Sequence, residues 1–361
     1  MARERSLLDA LLELAVEMGA SDLHYGVGEP PIVRIAGELS ALRFQVVSAS
    51  DFERTVGAAV PPEQWKAFKA RGDLDWAYEV PGLARFRSNL FLREQGPAAV
   101  FRMISNAIPS LQELGLPKQT VRLIEYPHGL VLVTGPTGSG KSTTLAALID
   151  HLNRNRRCHI LTIEDPIEYL HRGVLSRITQ REIGSSARSF AEALRVALRE
   201  DPDVILVGEL RDLDTISIAL QAAETGILVL ATLHTNSASR TVDRLINVFP
   251  SDEQDAVRTM LAGVLRGILA QQLLPARTGG RVLAVELLFW TVGLPNMIRE
   301  GKPHLIENLI RTGRRQGMIA LDDSLLELVR SGRVEPALAL ERASDRTRFR
   351  SVLASEFGLN L

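Results

Sequence analysis

A nine-residue stretch in the middle of the chain has the residue types and spacing of a phosphate-binding loop, G-x-x-x-x-G-K-[ST]. Its members are Gly135, Pro136, Thr137, Gly138, Ser139, Gly140, Lys141, Ser142 and Thr143. An apolar run at 130–134 precedes the loop, and residues 144–150 have helical character. In such a context the backbone N–H groups of the loop wrap the phosphates, and the helix N-terminus adds partial positive charge. The pattern therefore predicts a site for a nucleoside triphosphate.

Two side chains of the loop are expected to act on that ligand directly. Lys141 would neutralise the phosphates, and the Ser142 hydroxyl would bind Mg²⁺. The alternative is a chance glycine-rich turn. That alternative is disfavoured because the flanking strand and helix are both readable in the sequence.

Carboxylates follow two further apolar runs. The run 204–207 is followed by Gly208 and Glu209, and the run that starts at 159 ends in Glu164 and Asp165. Acids at neighbouring strand tips offer one group for metal coordination and one for general-base work on water. Taken alone, each run is more typical of a strand-end turn with solvated acids. Beside a phosphate loop in this order, the catalytic interpretation is favoured.

One histidine, His234, follows the apolar run 227–233. In the next strand of a phosphate-loop sheet, its imidazole could donate a hydrogen bond toward the γ-phosphate. A lone histidine at such a place is equally a structural donor, and both interpretations stay open.

Composition limits the classes of partner and compartment. The 42 lysines and arginines balance 43 acidic residues, a net charge of −1, which argues against a large nucleic-acid footprint. The single cysteine excludes an internal disulfide and is typical of a reducing cytosol. No apolar run reaches the roughly 20 residues of a membrane span, and the N-terminus lacks a signal-peptide core. We expect a cytoplasmic protein that at most docks on a membrane complex.

The elements that position these residues fall into segments. Residues 1–105 contain a first amphipathic helix, a second helix at roughly 50–70 and several short strands, which together predict an α+β module. Residues 106–117 carry two prolines and a glycine and are typical of a linker. From 118 to 291, apolar strands alternate with amphipathic helices, which predicts an α/β fold with a parallel sheet. Residues 292–361 are predicted to be helical.

A set of N-terminal motifs and five further ordered motifs together resemble the type IV pilus retraction motors of the PilT type, in the secretion ATPase superfamily. The N-terminal motifs are Ala20–His24, Gly28–Pro31 and Arg34–Leu39, which resemble the family's PAS-like domain; Gly135–Thr143 resembles its Walker A motif. Thr162–His171 resembles the Asp box, Arg199–Asp212 the atypical Walker B motif, Thr225–Ala238 the His box and Pro295–Lys302 the C-terminal retraction motif.

This resemblance implies a P-loop, RecA-like core with an N-terminal PAS-like domain and a helical C-terminal region. It implies a homohexameric ring that hydrolyses ATP with Mg²⁺ to retract pili, at the cytoplasmic face of the inner membrane, through an inner-membrane platform protein. Glu209 would act through Mg²⁺ and Glu164 as the general base, with the reverse assignment open. It also implies that N-terminal arginines enter a neighbour's site. Our candidates are Arg85, Arg87 and Arg102, and the alternative is that they are solvated strand residues.

One position departs from the family pattern. The His box usually has a first histidine in Thr-Gly-His, and this chain has Ile227 after Thr225 and Gly226. The departure keeps an accessory motor of the PilU type, working with a paralogous pilus ATPase, as an alternative. Extension or type II secretion ATPases usually carry a four-cysteine insertion, against one cysteine here. A non-hydrolysing nucleotide sensor is a further alternative, disfavoured by Lys141, Glu164 and Glu209.

Overall fold

Two separate β-sheets organise the chain, of six and seven strands. A computed structural model describes residues 6–35, 37–104 and 107–359. The first sheet belongs to a unit of residues 1–107 and the second to a unit of residues 108–361, each with its own hydrophobic core. The finer segment boundaries given above remain predictions.

The first unit is an antiparallel sheet in the order β3-β2-β1-β6-β5-β4, with helices packed on one face. Its strands are β1 (Asp22–Gly26), β2 (Ile32–Ile35), β3 (Glu38–Ala41), β4 (Asp73–Val80), β5 (Ala84–Arg93) and β6 (Gly96–Ile104). Its helices are α1 (Leu7–Glu17), α2 (Ala49–Phe52), which continues into a π-turn at Glu53–Gly57, and α3 (Pro62–Arg71). Alternation along β5 buries Phe86 and Leu90 beside Leu8 and Leu12 of α1, so its arginines lie on the opposite face.

The predicted continuous helix at 50–70 is wrong. Pro61 lies between the π-turn that follows α2 and the start of α3, and Pro62 begins α3 at a position where its missing N–H costs nothing. The short strand β3 was not predicted, and all four of its residues are exposed. An exposed strand lacks the apolar alternation on which sequence interpretation depends.

The second unit has a mostly parallel sheet in the order β13-β12-β7-β11-β10-β8-β9. Its strands are β7 (Gly129–Thr134), β8 (His159–Glu164), β9 (Arg177–Glu182), β10 (Val204–Val207), β11 (Leu228–Leu233), β12 (Leu265–Pro275) and β13 (Arg281–Phe289). Only the β12–β13 pair is antiparallel among the described strands of this sheet. The strands β7, β10 and β11 are buried along their whole length, as expected for a sheet covered on both faces.

Helices connect and cover these strands. They are α4 (Lys141–Asn155), α5 (Phe190–Ala197), α6 (Leu213–Glu224), α7 (Ala238–Asn247) and α8 (Gln254–Val264). In the described C-terminal part, five more α-helices follow β13: α9 (Leu294–Arg299), α10 (Ile306–Thr312), α11 (Leu321–Arg330), α12 (Pro336–Arg342) and α13 (Arg346–Phe357). Leu325, Leu340 and Phe349 of the last three helices form a small core with Leu274 and Val282 of the β12–β13 hairpin.

Three strands of this sheet, β9, β12 and β13, were not predicted. β9 is only half-buried and mostly polar, and the sequence alone did not identify the β12–β13 hairpin. Within the described ranges, no helix combines the length and the apolar character needed to cross a bilayer.

Candidate functional site

The phosphate-type loop joins β7 to α4 as the sequence predicts. Gly135, Gly138 and Gly140 have φ values of +145°, +77° and +86°, which residues with a side chain rarely adopt. Gly140 occupies the N-cap position of α4, so the next residue, Lys141, is the first of the helix. A Cβ atom on Gly135 would overlap the backbone oxygen of Gln271 on β12. The loop path therefore depends on glycine at these positions.

Lys141 is folded back over the loop that precedes it. Its Nζ atom donates to the carbonyl oxygens of Gly135, at 2.9 Å, and Pro136, at 3.1 Å. Burial lowers the pKa of Lys141, and the nearby carboxylate of Glu209 partly opposes that effect. A half-buried ammonium at the mouth of a glycine loop is suited to meet a phosphate oxygen.

Gln271 supports the loop from β12. Its Nε2 atom donates to the carbonyl oxygen of Ser139 at 2.6 Å, and its side chain is buried. The buried Oγ1 of Thr134, Oγ of Ser139 and Oε1 of Gln271 have no hydrogen-bond partner among the described protein groups. Buried polar atoms are normally satisfied, so unpaired ones around a glycine loop fit a site that accepts a polar ligand.

The remaining predicted groups lie at the same edge of the sheet. Glu164 ends β8, Glu209 follows β10 after one residue, and His234 directly follows β11. Because β7, β11, β10 and β8 are parallel neighbours, their carboxyl ends share the edge that carries the loop. Gly208 connects the strands at this edge. Its N–H donates to the carbonyl oxygen of Ile163 at 2.8 Å, and its own carbonyl oxygen accepts from Thr232 Oγ1 at 2.5 Å.

His234 bridges the lysine and one of the carboxylates. Its Nε2 lies 2.9 Å from Oε1 of Glu209, and its Nδ1 lies 3.5 Å from Nζ of Lys141. The other carboxylate oxygen of Glu209 is 2.7 Å from Nε of Arg211. The structure therefore brings together three predicted site residues and adds Arg211, which the sequence contained within the Walker B motif but did not single out.

Two side-chain hydrogen bonds hold Glu164 at the end of β8. Burial raises the pKa of the Glu164 carboxyl, and hydrogen bonds to its oxygens act in the opposite direction. Oε1 accepts from Thr162 Oγ1 at 2.7 Å and from Gln180 Nε2 at 3.2 Å. Gln180 lies on the unpredicted strand β9, so only a sequence signal for that strand could have identified it.

Ser142 and Thr143 lie in the first turn of α4. Ser142 is exposed, and Thr143 Oγ1 is 3.0 Å from the hydroxyl of Tyr169. No cluster of three or more His, Cys, Asp or Glu side chains in the described residues is arranged as a metal centre. Mg²⁺ is commonly held by one or two protein groups together with phosphate oxygens, and the hydroxyl of Ser142 and the carboxylate of Glu209 are oxygen donors of the kind that it binds.

Arg85, Arg87 and Arg102 lie in the first unit, on the face of its sheet opposite the core. Arg87 on β5 is directly opposite Arg102 on β6. Arg102 Nε is 2.7 Å from Oδ1 of the buried Asp22, and Arg34 Nε is 3.8 Å from Oδ2. Burial alone would raise the pKa of Asp22, but hydrogen bonds from Ser21 and Arg102 bring it below its ordinary value.

The departure at Ile227 lies at the other end of β11 from His234. Ile227 directly precedes the strand and His234 directly follows it, so the two residues are on the order of 20 Å apart. Ile227 accepts a hydrogen bond from the N–H of Gly129 at 3.0 Å and packs partly against the main core. The apolar replacement is therefore remote from the edge that carries the phosphate loop.

Comparison with known proteins decides the family. A model of the family described as "Type II/IV secretion system protein" matches residues 81–336. The chain belongs to this family. It is 45% identical to the type IV pilus retraction ATPase PilT of Pseudomonas aeruginosa over 92% of this chain and 97% of that protein. It is 46% identical to a twitching motility protein of Neisseria gonorrhoeae, over 87% of this chain and 84% of that protein.

Solved structures give the same family. A crystal structure of the pilus retraction motor PilT with bound ADP has a TM-score of 0.89 and 42% identity, covering 96% of this chain and 99% of that one. The Legionella pneumophila ATPase DotB has a TM-score of 0.76 and 29% identity, covering 94% and 96% of the two chains. The predicted fold class and the predicted resemblance to PilT-type secretion ATPases are therefore confirmed.

Proposed function

We propose that this protein is an ATP-hydrolysing motor that drives retraction of type IV pili. The observation that carries the proposal is the shared sheet edge on which the glycine loop, His234, Glu209 and Glu164 lie together. The PilT of Pseudomonas aeruginosa, named as a retraction ATPase, supports it across almost its full length.

The chain's own residues supply the elements of phosphoryl transfer. The N–H groups of 135–143 would hold the triphosphate of ATP, and Lys141 would lie beside the charge that develops on the transferred group. Ser142 and Glu209 would hold Mg²⁺, whose positive charge neutralises phosphate oxygens when it is bound. His234, in contact with both Lys141 and Glu209, would hold these two groups in place beside the same oxygens.

Glu164 is the better candidate for the general base. It would take a proton from water as the water oxygen bonds to the γ-phosphorus and the bond to the bridging oxygen breaks, which releases ADP and phosphate. The burial that raises its pKa makes it a stronger base than an exposed glutamate. Both carboxylate oxygens of Glu209 already contact His234 and Arg211, so Glu209 is less available to take a proton from water and would instead hold Mg²⁺.

The motor would be a homohexamer in which a neighbouring subunit completes each site. Arg87 is the strongest candidate for the completing arginine because it is exposed on β5, whereas Arg102 is paired with Asp22. The ring would act at the cytoplasmic face of the inner membrane on a pilus platform protein, and nucleic acid would have no part in the work. These assignments follow the family resemblance.

An accessory motor is the second candidate function. The PilU ATPase of Pseudomonas aeruginosa is 38% identical over 96% of this chain, and Ile227 replaces a histidine of the His box. Such a protein would hydrolyse ATP in the same way and assist a paralogous pilus ATPase. Deletion of the gene separates the roles. Loss of a main motor should give hyperpiliated cells that do not twitch, whereas loss of an accessory motor should leave measurable retraction. Cells without pili would contradict both.

Steady-state hydrolysis by the purified protein is the first biochemical test. Lys141→Ala and Glu209→Gln are expected to abolish ATP turnover, and an inactive wild-type ring would overturn the motor proposal. Arg87→Ala is expected to keep nucleotide affinity and lose turnover. Mixing Arg87→Ala with Glu209→Gln subunits should partly restore activity if one site uses two chains. Equal losses of affinity and turnover in Arg87→Ala would contradict a role in a neighbour's site.

A further inference from the structure

Gln180 contacts the Glu164 carboxylate from the neighbouring strand. It lies on β9 directly opposite Thr162 of β8, and both side chains donate to the same oxygen, Oε1 of Glu164. The distances are 2.7 Å from Thr162 Oγ1 and 3.2 Å from Gln180 Nε2. Two donors on one carboxylate oxygen fix the rotation of the carboxyl group.

The other contacts of Gln180 determine which way its amide points. Nε2 also donates to the carbonyl oxygen of Tyr169 at 2.9 Å, and Oε1 accepts from the N–H of His171 at 2.8 Å. Exchanging the amide's oxygen and nitrogen would set N–H against N–H at His171 and leave the Tyr169 oxygen without its donor. Gln180 is therefore locked to the loop 165–172 at two backbone positions.

The same loop reaches the phosphate-binding helix. The hydroxyl of Tyr169 is 3.0 Å from Oγ1 of Thr143, which is the residue after Ser142 in the first turn of α4. A continuous path thus connects Thr143 to Glu164. It runs through the side chain and backbone of Tyr169 and then through the hydrogen bonds of Gln180. The path connects the residues that would hold phosphate to the residue that would activate water.

We propose that Gln180 is a positioning residue for hydrolysis, which orients the Glu164 carboxylate and ties that orientation to Thr143 through Tyr169. The proposal rests on the proposed function, because it requires Glu164 to act on water. Hydrogen bonds to a carboxylate favour its charged form, so loss of the Gln180 donor also makes Glu164 harder to ionise.

Other charged groups near Glu164 also influence its ionisation, so they must stay unchanged in the variants that test Gln180. Glu168 in the following loop donates its backbone N–H to Glu164, and its negative charge raises the pKa of that carboxyl. Glu182 is the β9 residue opposite Glu164, and it accepts from the N–H of Ile167 at 3.3 Å. Asp165 directly follows Glu164, and Glu209 follows the neighbouring strand β10 after one residue. Variants are therefore made at Gln180 alone.

The test compares Gln180→Leu, Gln180→Glu and the wild type in ATP turnover from pH 5 to pH 9. Gln180→Leu is expected to lower kcat by about tenfold, with nucleotide affinity within about twofold of wild type, and to move the acidic limb of kcat about one unit toward higher pH. Gln180→Glu keeps an oxygen for the N–H of His171 and places a second carboxylate near Glu164, so its acidic limb should move further. Arg177→Gln, an exposed change on the same strand, should match wild type.

The outcomes separate this proposal from the proposed function. An inactive wild type would contradict the motor function itself. An active wild type with full turnover in Gln180→Leu, or with lower kcat and an unmoved acidic limb in both Gln180 variants, would overturn the positioning role. If Gln180→Leu does not fold, as judged by circular dichroism, Gln180→Glu gives the decision. Tyr169→Phe, which removes only the link to Thr143, should reduce kcat without moving the acidic limb, and a moved limb would contradict the proposed path.

Discussion

The Nε2 atom of His234 lies 2.9 Å from Oε1 of Glu209, and this pair lies beside the lysine of the phosphate loop. The contact joins residues from adjacent strands β11 and β10, whose carboxyl ends are in register. A neutral imidazole has one donor and one acceptor nitrogen. If Nε2 donates to Glu209, Nδ1 is the acceptor facing Lys141, so the tautomer is tied to the charges on both sides.

Removing the imidazole should impair turnover more than nucleotide binding. His234→Ala deletes the group between Lys141 and Glu209, and we expect kcat to fall by about 10²-fold while nucleotide affinity changes by less than about threefold. His234→Gln, whose amide offers a donor and an acceptor, should recover part of the loss. Single-turnover hydrolysis and titration with a fluorescent nucleotide measure the two quantities. A comparable loss in affinity would show that His234 serves ground-state binding.

The glycine loop provides a prediction with a matched control. Gly135→Ala combines a φ of +145° with a Cβ that overlaps the Gln271 backbone oxygen, so it should abolish nucleotide binding. At Gly138 the φ is +77° but an added Cβ would meet no atom within 4 Å, so Gly138→Ala carries backbone strain alone, about 1 kcal/mol. We expect that variant to bind nucleotide more weakly and still hydrolyse it. Equal affinities in calorimetry would contradict the steric explanation.

Much of this site could be predicted because its residues follow continuous buried strands. The runs before Gly135, Glu164, Glu209 and His234 are mostly apolar and mostly buried, and parallel strands place the residues at their ends at one edge. The supporting side chains Gln180 and Gln271 were missed. Neither lies in a motif, and each acts from a strand, β9 or β12, that the sequence pattern did not predict.

The N-terminal arginines show another limit of the sequence. Polar and apolar residues alternate along 85–92, which accounts for the position of Arg85 and Arg87 on the face opposite the core. This alternation could not show that Arg102 is paired with a carboxylate. Its partner Asp22 is 80 residues away in sequence and lies next to Arg102 across the sheet. Pairing across an antiparallel sheet depends on register, which a local pattern does not encode.

Replacing Asp22 tests what its ion pair with Arg102 contributes to stability and to turnover. Asp22→Asn removes the charge 2.7 Å from Arg102 Nε in a buried position, and we expect the free energy of unfolding of the protein to fall by about 1–3 kcal/mol. If Arg87 alone completes the neighbour's site, ATP turnover at low temperature should fall less than about threefold. Urea unfolding and ATPase assays of the same preparation measure both. A turnover loss as large as that of Arg87→Ala would instead assign the site to Arg102.

The buried carboxyl group of Glu286 should make the free energy of unfolding depend on pH. This side chain on β13 is buried and accepts from the N–H of Ala238, the first residue of α7, at 2.7 Å. Burial, with Glu307 and Asp322 nearby, raises its pKa from 4.5 to about 7, although the Ala238 bond opposes the shift. The native state then holds the proton more tightly than the unfolded chain does. Its contribution to stability is complete below pH 4.5 and is lost as pH rises to about 7.

Glu286→Gln removes this titration and keeps an oxygen for the N–H of Ala238. At pH 8 the variant should be more stable than wild type by up to about 3 kcal/mol, the equivalent of the pKa difference, and at pH 4.5 the two should be nearly equal. Urea midpoints across this range measure the effect, and Glu224→Gln, an exposed change on α6, is the control. A stability difference that is the same at both pH values would mean that packing, and not ionisation, distinguishes the two side chains.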